Sequence, residues 1–268
     1  MYITKNFFEK KTARNREIIS SEEQKKIRNL TVGIAGLSVG SNILDALIRF
    51  GGPRQIKIAD FDKIEVSNLN RINAKFKDVG REKVMVAKRE ALGTDPDLSI
   101  ELFKKGLHRK NVYDFFLMAP KIDIFIDAMD DIKMKLVVRE ICKANKIPVI
   151  MATDVGHRVL LDIERHDTEK DVKLFGGRIS SKKILSLNSK NKKEWLSVVH
   201  KIIGNINLDS RMKRSSRMIG KELKGMPQLI TTSFAASALV SLAVFKIANN
   251  YKLKSGRYIL DLEQVFKI

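Results

Sequence analysis

The chain has 268 residues, 44% of them hydrophobic and 7% aromatic, and a net charge of +20 from 51 Lys and Arg against 31 Asp and Glu. That is enough apolar material for one large α/β domain, and it excludes a disordered or collagenous protein. The single cysteine, Cys142, excludes a disulfide framework and any structural zinc centre built on four cysteines or paired CxxC motifs, so no zinc is expected. With no apolar leader at the start, the protein is expected in the cytoplasm.

Residues 1–30 read as a polar helical arm, with Ser20 as N-cap ahead of Glu22 and Glu23. Thr31–Ala35 is a β-rich run, Ser41–Phe50 has apolar residues at helical spacing, and Gly51-Gly52-Pro53 stops it before a second strand at Gln55–Ala59. The pattern repeats: a helix over Arg81–Leu92, a strand at Leu98–Phe103, a helix over His108–Met118 and a strongly apolar strand at Ile122–Ala128. A helix over Lys133–Ala144 and strands at Pro148–Ala152 and Val159–Ile163 follow. Such alternation predicts a Rossmann-like, doubly wound, mostly parallel sheet with helices on both faces, spanning residues 31–165. Residues 166–268 read as a basic, mainly helical extension packed on the same domain, with a last strand at Tyr258–Leu262. The apolar stretch Leu229–Ala248 carries Thr231, Thr232, Ser233, Ser237, Ser241 and Lys246, which predicts a buried core or interface helix and no membrane span. Cys142 falls mid-helix and reads as core.

Gly36-Leu37-Ser38-Val39-Gly40-Ser41 lies between the first strand and its helix, where N–H groups and the helix dipole favour an anion and small residues admit a nucleotide. The same residues spell GxSxG, a nucleophile elbow that would pair Ser38 with His157, but only 35 residues precede Gly36. Asp60 ends the second strand 24 residues beyond Gly36, where a carboxylate holds ribose hydroxyls. A dehydrogenase needs no more than that. Here Asp62, Asn68, Arg71 and Lys83 follow, supplying a carboxylate, an amide and two cations suited to phosphate. Asp127 and Asp130 stand at the tip of the Ile122–Ala128 strand, and a carboxylate opposite a triphosphate holds Mg²⁺. Asp130 has a second reading as the cap of the following helix. His157, Thr153, Asp154 and Arg158 fall on one predicted loop near the same sheet edge.

The glycine turn, "ADFDKIEVSNLNR", "DVGREKV" and "DAMDDIKMK" together resemble the ThiF/MoeB/HesA, or E1-like, adenylyltransferase family. The resemblance implies an ATP- and Mg²⁺-dependent enzyme that adenylates the C-terminal carboxylate of a ubiquitin-like or sulfur-carrier protein. It implies Gly36, Ser38, Gly40, Ser41, Asp60, Asp62, Asn68, Arg71, Lys83, Asp127 and Asp130 as nucleotide-binding residues, and Asp130 as the Mg²⁺ ligand. Arg71, Lys83 and Asp130 become the catalytic groups. They are joined by Arg16 of "RNREI", or alternatively Arg14, reaching into a partner's site, hence a homodimer. "GLSVGS", "VLLDIERHD", "DSRMKR" and "MPQL" look in addition like the ThiF-like domain that precedes a nitroreductase-like domain in some bacterial proteins. The sequence departs from the family at Ser38, Val39 and Ser41 in the glycine turn, at Asp131 in place of Asn and at Lys135 in place of Arg. With no cysteine beyond Cys142, transthiolation is not expected.

Between Arg178 and Lys224 there are 13 Lys or Arg and three acidic residues. That excess suits a polyanion, so two further readings stay open: a tRNA-modifying branch of the family, and a non-catalytic nucleotide-binding scaffold for an anionic partner. With Trp195 the one aromatic among those charges, a merely solvated basic face is the plainer alternative.

Overall fold

A computed structural model describes residues 6–188, 191–204, 208, 210–223 and 225–266. Among them seven strands form one sheet: β1 (Thr31–Ala35), β2 (Gln55–Ala59), β3 (Ser99–Phe103), β4 (Ile124–Asp127), β5 (Val149–Val155), β6 (Arg158–Glu164) and β7 (Gly256–Asp261), in the order β3-β2-β1-β4-β5-β6-β7. The first five run parallel, as expected from their alternation with helices. β6 and β7 are antiparallel. The reason is local: only Gly156 (φ 61°) and His157 separate β5 from β6, and a parallel return needs a crossover of about a dozen residues. Thr153, Asp154 and Arg158 are therefore strand residues and not loop residues, and His157 sits at a hairpin tip, 43% exposed, 3.7 Å from Glu263.

The helices are α1 (Phe7–Lys11), α2 (Ser21–Arg28), α3 (Val39–Arg49), α4 (Lys83–Thr94), α5 (Val112–Leu117), α6 (Ile132–Ala144), α7 (Ser181–Leu185), α8 (Lys192–Ile203), α9 (Ser210–Met218) and α10 (Ile230–Ala248). α3, α4 and α10 cover one face of the sheet around Ile34, Ile58, Ile126 and Val240. α5 and α6 cover the other, where Phe115, Phe116 and Phe125 pack edge to face. Cys142 lies in this second core, its thiol pushed well up by burial.

α10 is long and apolar enough to cross a membrane by length and composition. Its Ser233, Ala236, Ser237, Val240 and Ser241 are nonetheless buried, and small residues let it lie close to α3. Two of the serine hydroxyls find local acceptors, Ser237 donating to the Ser233 carbonyl and Ser241 to the Ser237 carbonyl, both at 2.8 Å, and Ser233 Oγ accepts from Asn42 of α3 at 2.7 Å. Ser20 and Glu23 form a capping box on α2, and Gln24 donates to the carbonyls of Phe50 and Gly51 at the far end of α3. Asp95, fully buried after α4, receives Lys11 at 2.6 Å and Arg28 at 2.8 Å. Burial alone would raise its pKa; the two cations outweigh that and hold it low.

Arg139 of α6 is completely buried between Asp127 of β4 (2.5 Å) and Glu164 of β6 (2.9 Å), with its guanidinium 4.2 Å above the Phe175 ring. Lys135 also pairs with Asp127 at 2.8 Å, and His166 with Glu164 at 3.2 Å. Burial would push both carboxylates up, but the paired cations hold both below their ordinary values. Depressed folded-state pKa values confer stability at neutral pH that is lost on acidification. Arg139→Met is expected to cost about 3–5 kcal/mol in urea unfolding at pH 7, because two carboxylates are left buried beside one remaining cation. That penalty should shrink as the pH falls below about 4, where an unfolded carboxylate is already protonated.

Candidate functional site

The carboxyl ends of β1, β2, β4 and β5 open on one crevice, at the point where the strand order reverses direction between β1 and β4. Gly36 turns the backbone out of β1 at φ +88°, and a Cβ there would stand 2.1 Å from the Ala128 carbonyl, so only glycine lets this turn lie against the loop after β4. α3 begins at the crevice with no side-chain cap; the Ser41 N–H donates to the Ser38 carbonyl at 3.3 Å, and the N–H groups of Val39 and Gly40 ahead of it suit an anion.

The crevice has two compartments. The first, about 170 Å³, is lined by Gly36, Ser38, Asp60, Phe61, Asp62, Lys83, Asp130 and Asp131, with Gly106 and Leu107 opposite. Asp60 is anchored there by the Leu37 N–H at 2.6 Å and the Asp62 N–H at 2.7 Å, which orient its carboxylate and leave lone pairs for a ligand hydroxyl. Burial raises its pKa, while Lys83 and those two donors pull the other way. Lys83, the buried first residue of α4, donates to Asp62 at 2.8 Å. Asp130 is exposed and, among the described residues, makes no hydrogen bond or ion pair; it is Asp131 that caps α6 through the Met134 N–H at 3.0 Å. The second compartment, about 160 Å³, lies beyond Ser38, Ala128, Met129 and Asp130, which border both. It is roofed by α8 and floored by β5.

Arg71 reaches the seam through Ser38, which borders both compartments. Its Nε donates to Ser38 Oγ at 3.2 Å and its NH1 to the Ser67 carbonyl at 3.0 Å and Asn70 Oδ1 at 2.7 Å. Burial lowers its pKa, opposed by the carboxylates of Asp154, Asp130 and Glu65. Ser38 Oγ also donates to Gln228 Oε1 at 3.4 Å, and Gln228 Nε2 donates to Asp154 Oδ1 at 3.3 Å. The other Asp154 oxygen is buried without a partner among the described residues, and burial raises the pKa of this carboxyl.

Of the residues expected from sequence, Gly36, Ser38, Asp60, Asp62, Lys83 and Asp130 share the first compartment, and Arg71 is tied to it through Ser38. Others hold structure in place. Ser41 Oγ turns back to the Ser38 carbonyl at 2.9 Å, Gly40 packs under Ile34, and Asn68 Oδ1 accepts the Glu65 N–H at 3.0 Å. Asp127 is consumed by Lys135 and Arg139 at the floor of the second compartment. Arg16 lies beyond the opposite end of α3, where the neighbouring Asn15 donates to the Phe50 carbonyl; its NH2 reaches Thr12 Oγ1 at 3.2 Å and its NH1 is buried without a partner among the described residues. An 11-residue helix separates the two ends by about 16 Å, so within one protomer Arg16 does not reach the crevice. Trp195, Met226 and Gln228 line the site although no local pattern marks them for it. "MPQL" is the one signal, and the Ser38 that Gln228 meets is 190 residues away.

Residues 12–169 match the model of the ThiF family. The protein belongs to that family. Relatives include the uncharacterized protein MT1398 of Mycobacterium tuberculosis (strain CDC 1551 / Oshkosh), 35% identical over 252 residues covering 93% of this sequence and 34% of that protein. Ubiquitin-like modifier-activating enzyme 5 of Caenorhabditis briggsae is 28% identical over 45% of this sequence and 30% of its own length. tRNA threonylcarbamoyladenosine dehydratase 1 of Saccharomyces cerevisiae is 29% identical over 56% of this sequence and 36% of its own length. The protein thus spans about a third of these relatives. Among solved structures, PaaA superposes with a TM-score of 0.67 at 18% identity, over 98% of this protein and 82% of its own length. MccB of Escherichia coli, solved with ATP, superposes with a TM-score of 0.61 at 18% identity, over 97% and 72%. The ThiF-family E1-like fold is common to all of them.

The unpartnered Asp154 oxygen is a cost the fold carries at neutral pH. A raised folded-state pKa means ionised Asp154 destabilises the native state above that pKa and has no effect where both states are protonated. Asp154→Asn is therefore expected to raise the urea midpoint at pH 7, with the gain fading below about pH 4, the ordinary carboxylate range.

Proposed function

We propose that this protein adenylates a carboxylate with ATP. The observation that carries the reading is the convergence of Asp60, Lys83 and Asp130 on one compartment, with Arg71 hydrogen-bonded to Ser38, which borders both it and a second compartment. Asp60 accepts from the ribose, the start of α3 receives phosphate, and Lys83 and Arg71 meet the charge on the phosphates. The acceptor carboxylate, already ionised, attacks the α-phosphorus. The bond from that phosphorus to the bridging oxygen breaks, pyrophosphate leaves, and an acyl adenylate remains. No general base is required. Fixed cations and alignment of the two substrates supply the rate.

Mg²⁺ fits this site in one way. The described residues hold no cluster of three His, Cys, Asp or Glu, but Asp130 offers an unengaged carboxylate, and Mg²⁺ commonly takes one or two carboxylates with the substrate's phosphates completing its shell. Asp130 would hold it, and the ion would neutralise charge on the triphosphate.

The acceptor in this reading is the C-terminus of a ubiquitin-like or sulfur-carrier protein or of a peptide, handled in the cytoplasm. Buried Cys142 supports release of the adenylate without a thioester to the enzyme's own thiol. The assembly is a homodimer in which Arg16 completes a partner's site, supported by its distance from its own crevice and its unpartnered NH1. A second reading, action on tRNA or scaffolding of another polyanion, is favoured by α9. Its Arg211, Lys213, Arg214 and Arg217 are exposed while Met212 faces the core, and one relative is named as a tRNA dehydratase.

Arg71→Ala is expected to lower ATP–pyrophosphate exchange at least a hundredfold with an unchanged urea midpoint, since it removes charge stabilisation worth roughly 2.7–4 kcal/mol. Wild-type exchange in that variant would end the mechanism. Co-expressed protomers bearing Arg16→Ala and Arg71→Ala separately should form mixed dimers with activity that neither pure variant shows. Activity in Arg16→Ala dimers alone would remove the shared-site arrangement. If the second reading holds, tRNA co-purifies and dissociates steeply with salt.

A further inference from the structure

The second compartment has a composition that adenylation by itself does not explain. α8 places Trp195, Val199 and Ile202 on one face, at spacings of four and three residues, and that face roofs the compartment. Met151 from β5 and Met226 extend this apolar side, while Ser38, Asp127, Asp130, Lys135, Asp154 and Gln228 line the rest. The compartment's volume of about 160 Å³ is close to the roughly 150 Å³ of an apolar protein cavity that takes up a benzene-sized solute.

Within this mixed lining one buried polar atom is left unsatisfied by the described residues. Asp154 Oδ2 is buried and has no partner among them. Buried polar atoms are nearly always paired, so an unpaired carboxylate oxygen in such surroundings marks a place where a ligand brings a donor. Gln228 fixes the other Asp154 oxygen and touches Ser38 as well, so the Asp154 carboxylate is aligned with the same hydroxyl that positions Arg71. The donor bound at Asp154 and the carboxylate presented near Arg71 would thus belong to one small unit.

Resting on the adenylation reading, we infer that the second compartment binds the residue that bears the reacting carboxylate, and that this residue is an α-amino acid unit with a compact apolar side chain of leucine, methionine or phenylalanine size and a nitrogen that donates to Asp154. The side chain fills the space beneath Trp195, the nitrogen meets Asp154 Oδ2, and the carboxylate faces Arg71. A glycine-ended tail leaves the apolar side uncovered and forgoes the burial energy, so among the acceptors of the adenylation reading this compartment favours one whose last residue is not glycine. A glutamate side chain places a third carboxylate among Asp130 and Asp154. The unit comes either from a free amino acid or from the C-terminus of a polypeptide, which share this chemistry and differ at the nitrogen, an ammonium in one and an amide in the other.

Trp195 is the one tryptophan of the sequence, so its emission reports on the compartment independently of any turnover. The full-length protein is titrated with L-leucine, N-acetyl-L-leucine, glycylglycine and L-glutamate, with emission followed, while ATP binding and ATP–pyrophosphate exchange are measured in parallel. A leucine-bearing probe is expected to shift the emission and to bind about tenfold or more tighter than glycylglycine or glutamate, the discrimination that a filled apolar pocket provides. Tighter binding of N-acetyl-L-leucine assigns a polypeptide C-terminus, and tighter binding of L-leucine a free amino acid. In Asp154→Ala the preferred probe should bind at least tenfold more weakly. Equal binding of all four probes, no emission change with any of them, or undiminished binding in Asp154→Ala overturns the assignment. Leucine-probe binding without any exchange would overturn the adenylation reading and leave the compartment's preference standing. Exchange driven equally by glycylglycine would do the reverse.

Discussion

The rest of the structure depends on the burial of Arg139. Its guanidinium has no access to water, so each donor must be met from inside the protein, and the groups that meet it come from β4, β6 and the Phe175 ring. A buried ion network of this kind is a poor source of net stability, because desolvation offsets most of the attraction. Its consequence is geometric. With Asp127 and Glu164 both required at one guanidinium, the parallel half of the sheet and the antiparallel β5–β6–β7 half have one workable relative placement. That placement puts the tip of β4, and Asp130 beyond it, at the mouth of the crevice.

The crevice itself follows from the winding of the backbone. From β1 the connections run outward through β2 and β3 on one side and through β4 and β5 on the other, so the loops above β1 and β4 diverge and leave a gap. Gly36 decides how narrow the gap is, since the turn after β1 touches the Ala128 carbonyl. The C-terminal segment then does two things. α10 shields the sheet face opposite α5 and α6, and α8 closes the crevice from above, turning an open groove into two compartments.

Both compartments hold carboxylates that burial makes less acidic than usual, Asp60 in the first and Asp154 in the second. Each is disfavoured as an ion in the free protein and gains from a ligand that donates to it. Groups of this sort are what a binding site keeps against the interest of stability, and structural ion-pair networks such as Asp127–Arg139–Glu164 shift their acids the other way. The contrast separates Asp127, which is part of the framework, from Asp154, which is not.

Periodicity suffices for the strand–helix alternation, the parallel character of β1 to β5 and the buried role of α10, because apolar spacing is set by the local backbone period and survives any tertiary arrangement. The Gly36 turn, Asp60 and the Arg71–Lys83 run are likewise legible, since each lies within a few residues of a strand end or of the helix that follows it. The reversal at β6 is not, because the apolar spacing of a strand says nothing of its direction, and the loop expected around Thr153 and Asp154 hides how short the connection is. Only the tertiary structure decides that Asn68 and Ser41 serve their own turns, that Asp131 and not Asp130 caps α6, and that Asp127 is sealed beneath Arg139. Only it brings Trp195, Met226 and Gln228 to a site built around Ser38. The reason is physical: a side chain's local partners compete with its distant ones, and contacts between residues separated by 190 positions leave no spacing in the sequence by which they can be read.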